Sequence, residues 1–177
     1  MAFEAVLDTC VLWPSLQRDF LLSLAVENLY RPRWSTAILA ELEEHEARKL
    51  IAQGLPHADA QARAEGLVNQ MSGAFPDAVV TGWEALEGTY GLPDPDDEHV
   101  VAAAVLGGAG AIVTDNLKHL NVPEVPGHIE VISASEFMTN TVEISPAAAA
   151  RALTQISRRH RNPPHTSQEL LQLLGTR

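Results

Sequence analysis

Phe3-Glu4-Ala5-Val6-Leu7-Asp8 is a short apolar run that ends in an aspartate. Similar apolar runs follow at residues 78–80, 111–114 and 129–132, and longer stretches with a helical spacing of apolar residues separate them. Short apolar runs that alternate with helical patterns are typical of βα units, in which helices cover the faces of a parallel sheet. The sequence therefore predicts an α/β domain with three layers, α/β/α, and a central parallel sheet of four strands.

Helix signals organise the rest of the chain. Before residue 140, helical patterns cover about 16–29, 37–51, 58–75 and 97–106. Ser145-Pro146 is a cap followed by proline at the first helical position, and Thr166-Ser167-Gln168-Glu169 is a capping box. Asn162-Pro163-Pro164 is expected to end the first of these late helices. We therefore predict an α/β body over residues 1–140 and a C-terminal helical hairpin over residues 141–177.

The composition is that of an ordinary globular domain. The chain has 177 residues, of which 46% are hydrophobic and 20% are charged. Cys10 is the single cysteine, so an intramolecular disulfide is impossible and the reducing cytoplasm is the expected compartment. The first residues lack the basic region of a signal peptide, and no apolar run reaches the roughly 18 residues of a membrane span. We therefore expect no membrane partner.

The formal net charge of −11 argues against a nucleic-acid partner if the charge is evenly spread. It is not, because basic residues concentrate at two places in the chain. The candidates for nucleic-acid contact are Arg31, Arg33, Arg158, Arg159 and Arg161. The last three end a predicted helix, so a favourable interaction with the helix dipole is an equally good explanation for them.

Two aspartates follow apolar strands. Asp8 ends the first strand, and Asp115 follows Ala111-Ile112-Val113-Thr114. Ligands of open parallel sheets bind outside the carboxyl ends of the strands, so two carboxylates there can converge on one site. The structural alternative is that each aspartate only caps the loop that follows it.

Two further acids lie beside apolar helix faces. Glu41 shares its face with Ala37, Ile38 and Leu42, where a charge is costly unless a cation or hydrogen bonds compensate it. Alternatively, Glu41 lies at the edge of the face and its carboxylate reaches solvent. Asp97 begins a helix that is apolar nearly all round and is therefore predicted to be buried.

The acids around Asp97 have a simpler explanation. Asp94, Asp96 and Glu98 are favoured by the dipole at a helix start. The run is not a calcium loop, because the sixth position from Asp94 is His99 rather than glycine. The histidines also lack zinc-site spacing. An oxygen-rich set of ligands suits Mg²⁺ or Mn²⁺.

Four segments in order resemble a PIN domain, in particular the bacterial branch that includes VapC-type toxins. They are Leu7-Asp8-Thr9, Glu41 in an early helix, Asp97 before His99-Val100-Val101-Ala102-Ala103-Ala104, and Ile112-Val113-Thr114-Asp115-Asn116. The resemblance covers about residues 3 to 137. It implies a parallel-sheet α/β/α domain, dependence on Mg²⁺ or Mn²⁺, and cleavage of single-stranded RNA.

The resemblance also implies roles for individual residues. Asp8, Glu41, Asp97 and Asp115 would be the catalytic, metal-binding acids, with Asp94 as a further candidate ligand. Thr9, Thr114 and Asn116 would be supporting polar groups. The expected partners are RNA, an antitoxin protein and, as a further candidate, a second copy of the chain.

One position departs from the family pattern. Relatives often carry an aspartate three residues after the asparagine of the last motif, where this chain has His119. We predict that Asp115, not His119, supplies the last acidic ligand, because Asp115 directly follows a strand. Two alternatives stay open: a PIN-fold interaction module that has lost activity, and a small-molecule phosphatase with the same acidic site.

Overall fold

The structure is a computed structural model that describes residues 3–160 and 164–175. Its described residues form one five-stranded sheet in the order β3-β2-β1-β4-β5, with every neighbouring pair parallel. The strands are β1 Glu4–Leu7, β2 Arg31–Ser35, β3 Val79–Val80, β4 Ala111–Val113 and β5 Glu130–Ile132. The predicted parallel sheet is therefore confirmed.

Helices cover the sheet in a three-layer α/β/α arrangement, as predicted. Within the described residues they are α1 Thr9–Leu12, α2 Ser15–Val26, α3 Thr36–Ala52, α4 His57–Ala74, α5 Glu98–Leu106, α6 Leu117–Leu120, α7 Ala134–Ile144, α8 Pro146–Arg159 and α9 Ser167–Gly175. Short 3-10 turns at Trp83–Ala85 and Pro95–Asp97 lie in the connection between β3 and α5. None of these helices is long and apolar enough to cross a membrane.

Strand β1 lies at the centre of the sheet, and its register sets the position of the acids. Leu7 pairs with Val113 of β4. The amide of Asp8 donates to the carbonyl of Val113 at 3.0 Å, so the residues that follow the two strands lie side by side. Asp8, which follows β1, and Thr114, which follows β4, therefore lie at the same carboxyl edge of the sheet.

The prediction of four strands was wrong, because β2 was missed. Its sequence is Arg31-Pro32-Arg33-Trp34-Ser35, and two arginines and a proline hide the apolar pattern of a strand. The buried ring of Trp34 provides the apolar surface. Arg33 is held by an ion pair of 2.9 Å with Glu4 of β1 and by a hydrogen bond to the carbonyl of Asp77.

The C-terminal helices pack on the body, as predicted. Helix α8 lies against α2 and α9 lies against α8. Ala149, Ala152 and Ile156 form the buried face of α8. The predicted end of that helix at Asn162-Pro163-Pro164 lies largely outside the described residues. Helices α8 and α9 therefore form an additional layer over α2.

Candidate metal centre

Asp8 is the most enclosed of the candidate acids, with 6% of its surface exposed. Its Oδ1 accepts from the amide of Thr9 at 2.7 Å, and its Oδ2 accepts from the hydroxyl of Thr114 at 2.7 Å and from the thiol of Cys10 at 3.3 Å. Burial raises the pKa of Asp8, against the lowering effect of these three donors. The three donors thus hold the carboxylate in place, but they offset only part of the cost of burying its charge.

Glu41 approaches Asp8 from α3. Its Oε2 accepts a short hydrogen bond from Thr9, and its Oε1 lies 3.1 Å from Nε2 of His99. Partial burial raises the pKa of Glu41, but the hydrogen bonds from His99 and Thr9 outweigh it and leave the pKa below its ordinary value. Glu41 therefore stays ionised and oriented towards Asp8 by its two donors.

His99 is the buried partner of Glu41 in this contact. The ring is 5% exposed, its Nδ1 lies 3.5 Å from the hydroxyl of Ser35, and Trp83 packs against it edge to face. Burial lowers the pKa of His99. The hydrogen bond and charge of Glu41, together with the charge of Asp8, outweigh this effect, so the pKa of His99 lies above its ordinary value. The sequence analysis gave His99 no role, because its only signal was a polar residue in a helix that is apolar all round.

Asp97 forms the second half of the centre together with Asp94 and His119. Oδ2 of Asp97 accepts from the side-chain amide of Asn116 at 3.0 Å. Nδ1 of His119 lies 3.5 Å from Asp97 and 3.6 Å from Asp94. Burial raises the pKa of Asp97, and the charges of Asp8 and Asp94 raise it further. Asp97 is therefore electrostatically coupled to Asp8 and to Asp94.

Asp115 lies at the same edge of the sheet but is exposed. Its Oδ1 accepts from the amide of Ala134, at the start of α7, at 3.2 Å. Its own amide donates to the sulfur of Cys10 at 3.3 Å. Cys10, which the sequence analysis gave no part in the site, thus contacts both strand-end aspartates. Burial raises the pKa of its thiol to about 12, so it stays protonated.

The three residues expected to be supporting polar groups each donate a hydrogen bond to one of the candidate acids. Thr9 and Thr114 donate to Glu41 and Asp8, and Asn116 donates to Asp97. The hydroxyl of Thr114 also accepts from the amide of Asn116 at 2.9 Å. This network connects the ends of β1 and β4 with α3 and with the start of α5.

The donor atoms fit a hard divalent cation. Among the described residues, one ligand atom each of Asp94, Asp97 and His119 lie within 4.8 Å of one another. Carboxylates that raise one another's pKa, as Asp8 and Asp94 do for Asp97, are relieved by a cation between them. The assignment of Asp115 rather than His119 as the last ligand stays a prediction, since Asp115 faces α7 and His119 faces the acids.

Glu98 does more than favour the start of a helix, because its buried carboxylate binds the backbone of the preceding loop. It is 3% exposed, and its carboxylate accepts from the amides of Gly91 at 2.8 Å, Leu92 at 3.2 Å and Tyr90 at 3.3 Å. Burial raises the pKa of Glu98, but these backbone donors outweigh it and lower the pKa below its ordinary value. Glu98 therefore ties the loop before Asp94 to the start of α5.

Glu98→Gln should lower the melting temperature, because the side-chain NH₂ cannot accept from a backbone amide. The pKa of Glu98 is lowered in the folded protein, so its contribution is complete above the ordinary glutamate value of about 4.3. It is lost as the pH falls through the lower folded value. Thermal melts from pH 7 to pH 3 test this, with the exposed Glu65→Gln as control. The prediction is contradicted if the difference in melting temperature between Glu98→Gln and wild type does not become smaller as the pH falls.

None of the candidate arginines that the structure describes is paired with one of the candidate acids. Arg31 begins β2, at the edge of the sheet opposite the carboxyl ends. Arg159 donates to Asp19 at 3.0 Å, whereas Arg158 is exposed in the last turn of α8. Arg161 lies outside the described residues. Their contact with RNA stays a prediction.

Comparison with known families agrees with this architecture. The sequence model of the PIN domain family matches residues 4–118. The chain belongs to the PIN domain family. A second model, the VapC50 C-terminal domain, matches residues 134–176, from the start of α7 through α9. No curated protein and no solved structure matches the chain significantly.

The family match covers most of the candidate centre. Asp8, Glu41, Asp97 and Asp115 all lie within the matched residues 4–118 of this PIN domain, whereas His119 follows directly after them. PIN domains are typically nucleases that use a divalent metal, and the two matches together suggest a VapC-like nuclease. The C-terminal helices α7 to α9 are similar to the VapC50 C-terminal domain.

Proposed function

We propose that this PIN domain is a metal-dependent endoribonuclease that cleaves single-stranded RNA. The observation that carries the proposal is the grouping of Asp8, Glu41 and Asp97 at one edge of the sheet, where burial raises the pKa of both aspartates and the charge of Asp8 raises the pKa of Asp97 further. Asp115 is the proposed fourth acid, and Asp94 a further ligand. A cluster of acids around the buried Asp8, with few cationic partners, is suited to Mg²⁺ or Mn²⁺.

Each side chain has a distinct task in this proposal. Mg²⁺ or Mn²⁺ supplies activation of a water molecule and neutralises charge at the phosphodiester. Asp8 is the central ligand, fixed by Thr9 and Thr114. Glu41 orients the attacking water by accepting a hydrogen bond from it. His99 holds the carboxylate of Glu41 in place for this contact. The scissile phosphate lies between these acids and Asp97.

We further propose that the chain is the toxin of a toxin-antitoxin pair, on the strength of the match to the VapC50 C-terminal domain. The antitoxin would inhibit by placing an arginine among the acids, because a guanidinium pairs bidentately with carboxylates and takes the place of the cation. Co-purification from the native host, followed by identification of bound chains, tests this. A protein that purifies alone and is harmless when overexpressed contradicts the toxin role.

The central experiment is incubation of the pure protein with a pool of single-stranded RNA, with Mn²⁺ and with EDTA. We expect internal cleavage with Mn²⁺ and intact RNA with EDTA. Release of phosphate from monoesters without RNA cleavage would instead indicate a phosphatase. Neither cleavage nor binding of Mn²⁺ would indicate an interaction module without activity.

A further inference from the structure

Trp13 is an exposed aromatic residue next to the acidic centre. It caps the C-terminal end of α1, whose N-cap is Asp8, and its amide donates to the carbonyl of Thr9 at 3.1 Å. The indole ring stacks on the imidazole of His45, with ring centroids 4.2 Å apart and planes 7° from parallel. Although stacked, Trp13 is 39% exposed. The indole therefore has an aromatic surface that a ligand can reach from solvent.

The stack lies within reach of a strand bound at the acids. His45 follows Glu41 by four residues on α3, which is about one helical turn or roughly 5.4 Å along the axis. Successive nucleotides of a stacked strand advance by about 3.4 Å. One turn of α3 therefore spans one to two nucleotides.

A cavity of about 400 Å³ opens beside the indole. Its lining includes Pro14, Leu16 and Lys49 from the body, and His165 and Leu170 from the C-terminal segment. A volume of this size is in the range of small-molecule sites. Helix α9 thus completes a cavity that the α/β body alone would leave open on one side.

We propose that Trp13 and this cavity form a stacking site for one unpaired nucleobase of the RNA strand whose phosphodiester lies at the acidic centre. This inference rests on the proposed ribonuclease function. It gives the C-terminal helices a place in substrate binding, as the far wall of the base site.

The charges around the cavity favour a neutral, flat ligand. The ammonium group of Lys49 is already held by Glu46 at 2.5 Å and by the hydroxyl of Ser15 at 3.2 Å. Partial burial and the nearby charges of Lys49 and Arg48 lower the pKa of His45, so its imidazole is neutral at pH 7. A nucleobase is neutral, and every base offers a π face to an aromatic ring.

The test uses a short oligouridine RNA that carries the fluorescent base 2-aminopurine at one position, moved along the strand in a series. Binding is measured with Ca²⁺, a hard oxygen-seeking cation, and the strand is checked for intactness afterwards. We expect strong quenching at one or two adjacent positions, because the base stacks on the indole. Trp13→Ala should abolish the quenching and weaken binding about tenfold, because the stacking of the base on the aromatic ring is lost.

Two variants serve as controls. Trp13→Phe should retain part of the quenching and of the affinity, because it keeps an aromatic face. Ile144→Ala removes an apolar side chain that is 70% exposed at the end of α7, and it should change neither. A strand with an abasic residue at the quenched position should bind wild type and Trp13→Ala equally.

The outcomes separate this site from the proposed function. Equal quenching and affinity in Trp13→Ala, or no quenching at any position in wild type, overturns the base site. RNA cleavage with Mn²⁺ is measured in parallel on wild type. Its absence overturns the ribonuclease, while quenching that depends on Trp13 would still support the base site.

Discussion

Asp8→Asn should abolish Mn²⁺-dependent RNA cleavage, with a loss of at least about 100-fold, because it removes the charge of the central ligand. Asn keeps the volume of the side chain and can still accept from Thr9 or Thr114. The fold should therefore survive, and circular dichroism should be unchanged. The measurement is the initial rate of cleavage at saturating Mn²⁺. Full activity in the folded variant would contradict the assignment.

A second readout separates loss of metal from loss of catalysis. A ligand that binds only the folded protein raises its stability by mass action. Mn²⁺ should therefore raise the melting temperature of wild type and have little effect on Asp8→Asn. The exposed Asp59→Asn on α4 is the matched control and should respond to Mn²⁺ as wild type does. An equal response of Asp8→Asn would show that Asp8 is not the central ligand.

The raised pKa values of Asp8 and Asp97 favour the proposed binding of a cation at this centre. A carboxyl group whose pKa is higher in the folded protein destabilises it at neutral pH, and this cost disappears as the pH falls through the raised value. Asp8 and Asp97 both belong to this class. A cation has the same effect as acid, since it removes the unfavourable charge, but it does so at neutral pH. Binding of a cation at this centre is therefore expected to raise the stability of the folded protein at neutral pH.

The sheet and most helices were predictable because their signals are local. Apolar runs such as Ala111-Ile112-Val113 are buried on both faces, and capping residues such as Ser133 and Ser145 mark helix starts. Strand β2 was not predictable, because its position between β1 and β3 depends on the burial of Trp34 and on the ion pair of Arg33 with Glu4. Both are contacts with segments distant in the sequence.

The same division applies to the candidate centre. Asp8 and Asp115 follow strands, so their positions could be inferred from the pattern of apolar runs. The contacts of Glu41 with His99 and of Cys10 with Asp8 arise only when α3, α5 and β1 come together. Tertiary contacts of this kind leave no periodic trace in the sequence. The role of Glu98 as an acceptor for backbone amides was missed for the same reason.

Asp115→Asn and His119→Ala should differ in how strongly they weaken metal binding. Asp115 offers a carboxylate, which binds Mg²⁺ and Mn²⁺ alike, so its loss should weaken the binding of both severely. A neutral imidazole binds Mn²⁺ but is a poor partner for Mg²⁺. If His119 were the ligand, its loss would therefore weaken mainly the binding of Mn²⁺. With Asp115 as the ligand, His119→Ala should matter little for either metal, although His119 lies against Asp94 and Asp97.

Calorimetric titration of each metal into both variants and wild type measures the affinities. The carboxylate of Asp115 must leave the amide of Ala134, or use its second oxygen, in order to bind the cation. Ser133 also caps α7, so the helix should keep its start in Asp115→Asn, and near-ultraviolet dichroism checks this. Wild-type affinity of Asp115→Asn for both metals would exclude Asp115 as a ligand. In that case a large loss of Mn²⁺ binding in His119→Ala would assign the last ligand to the histidine.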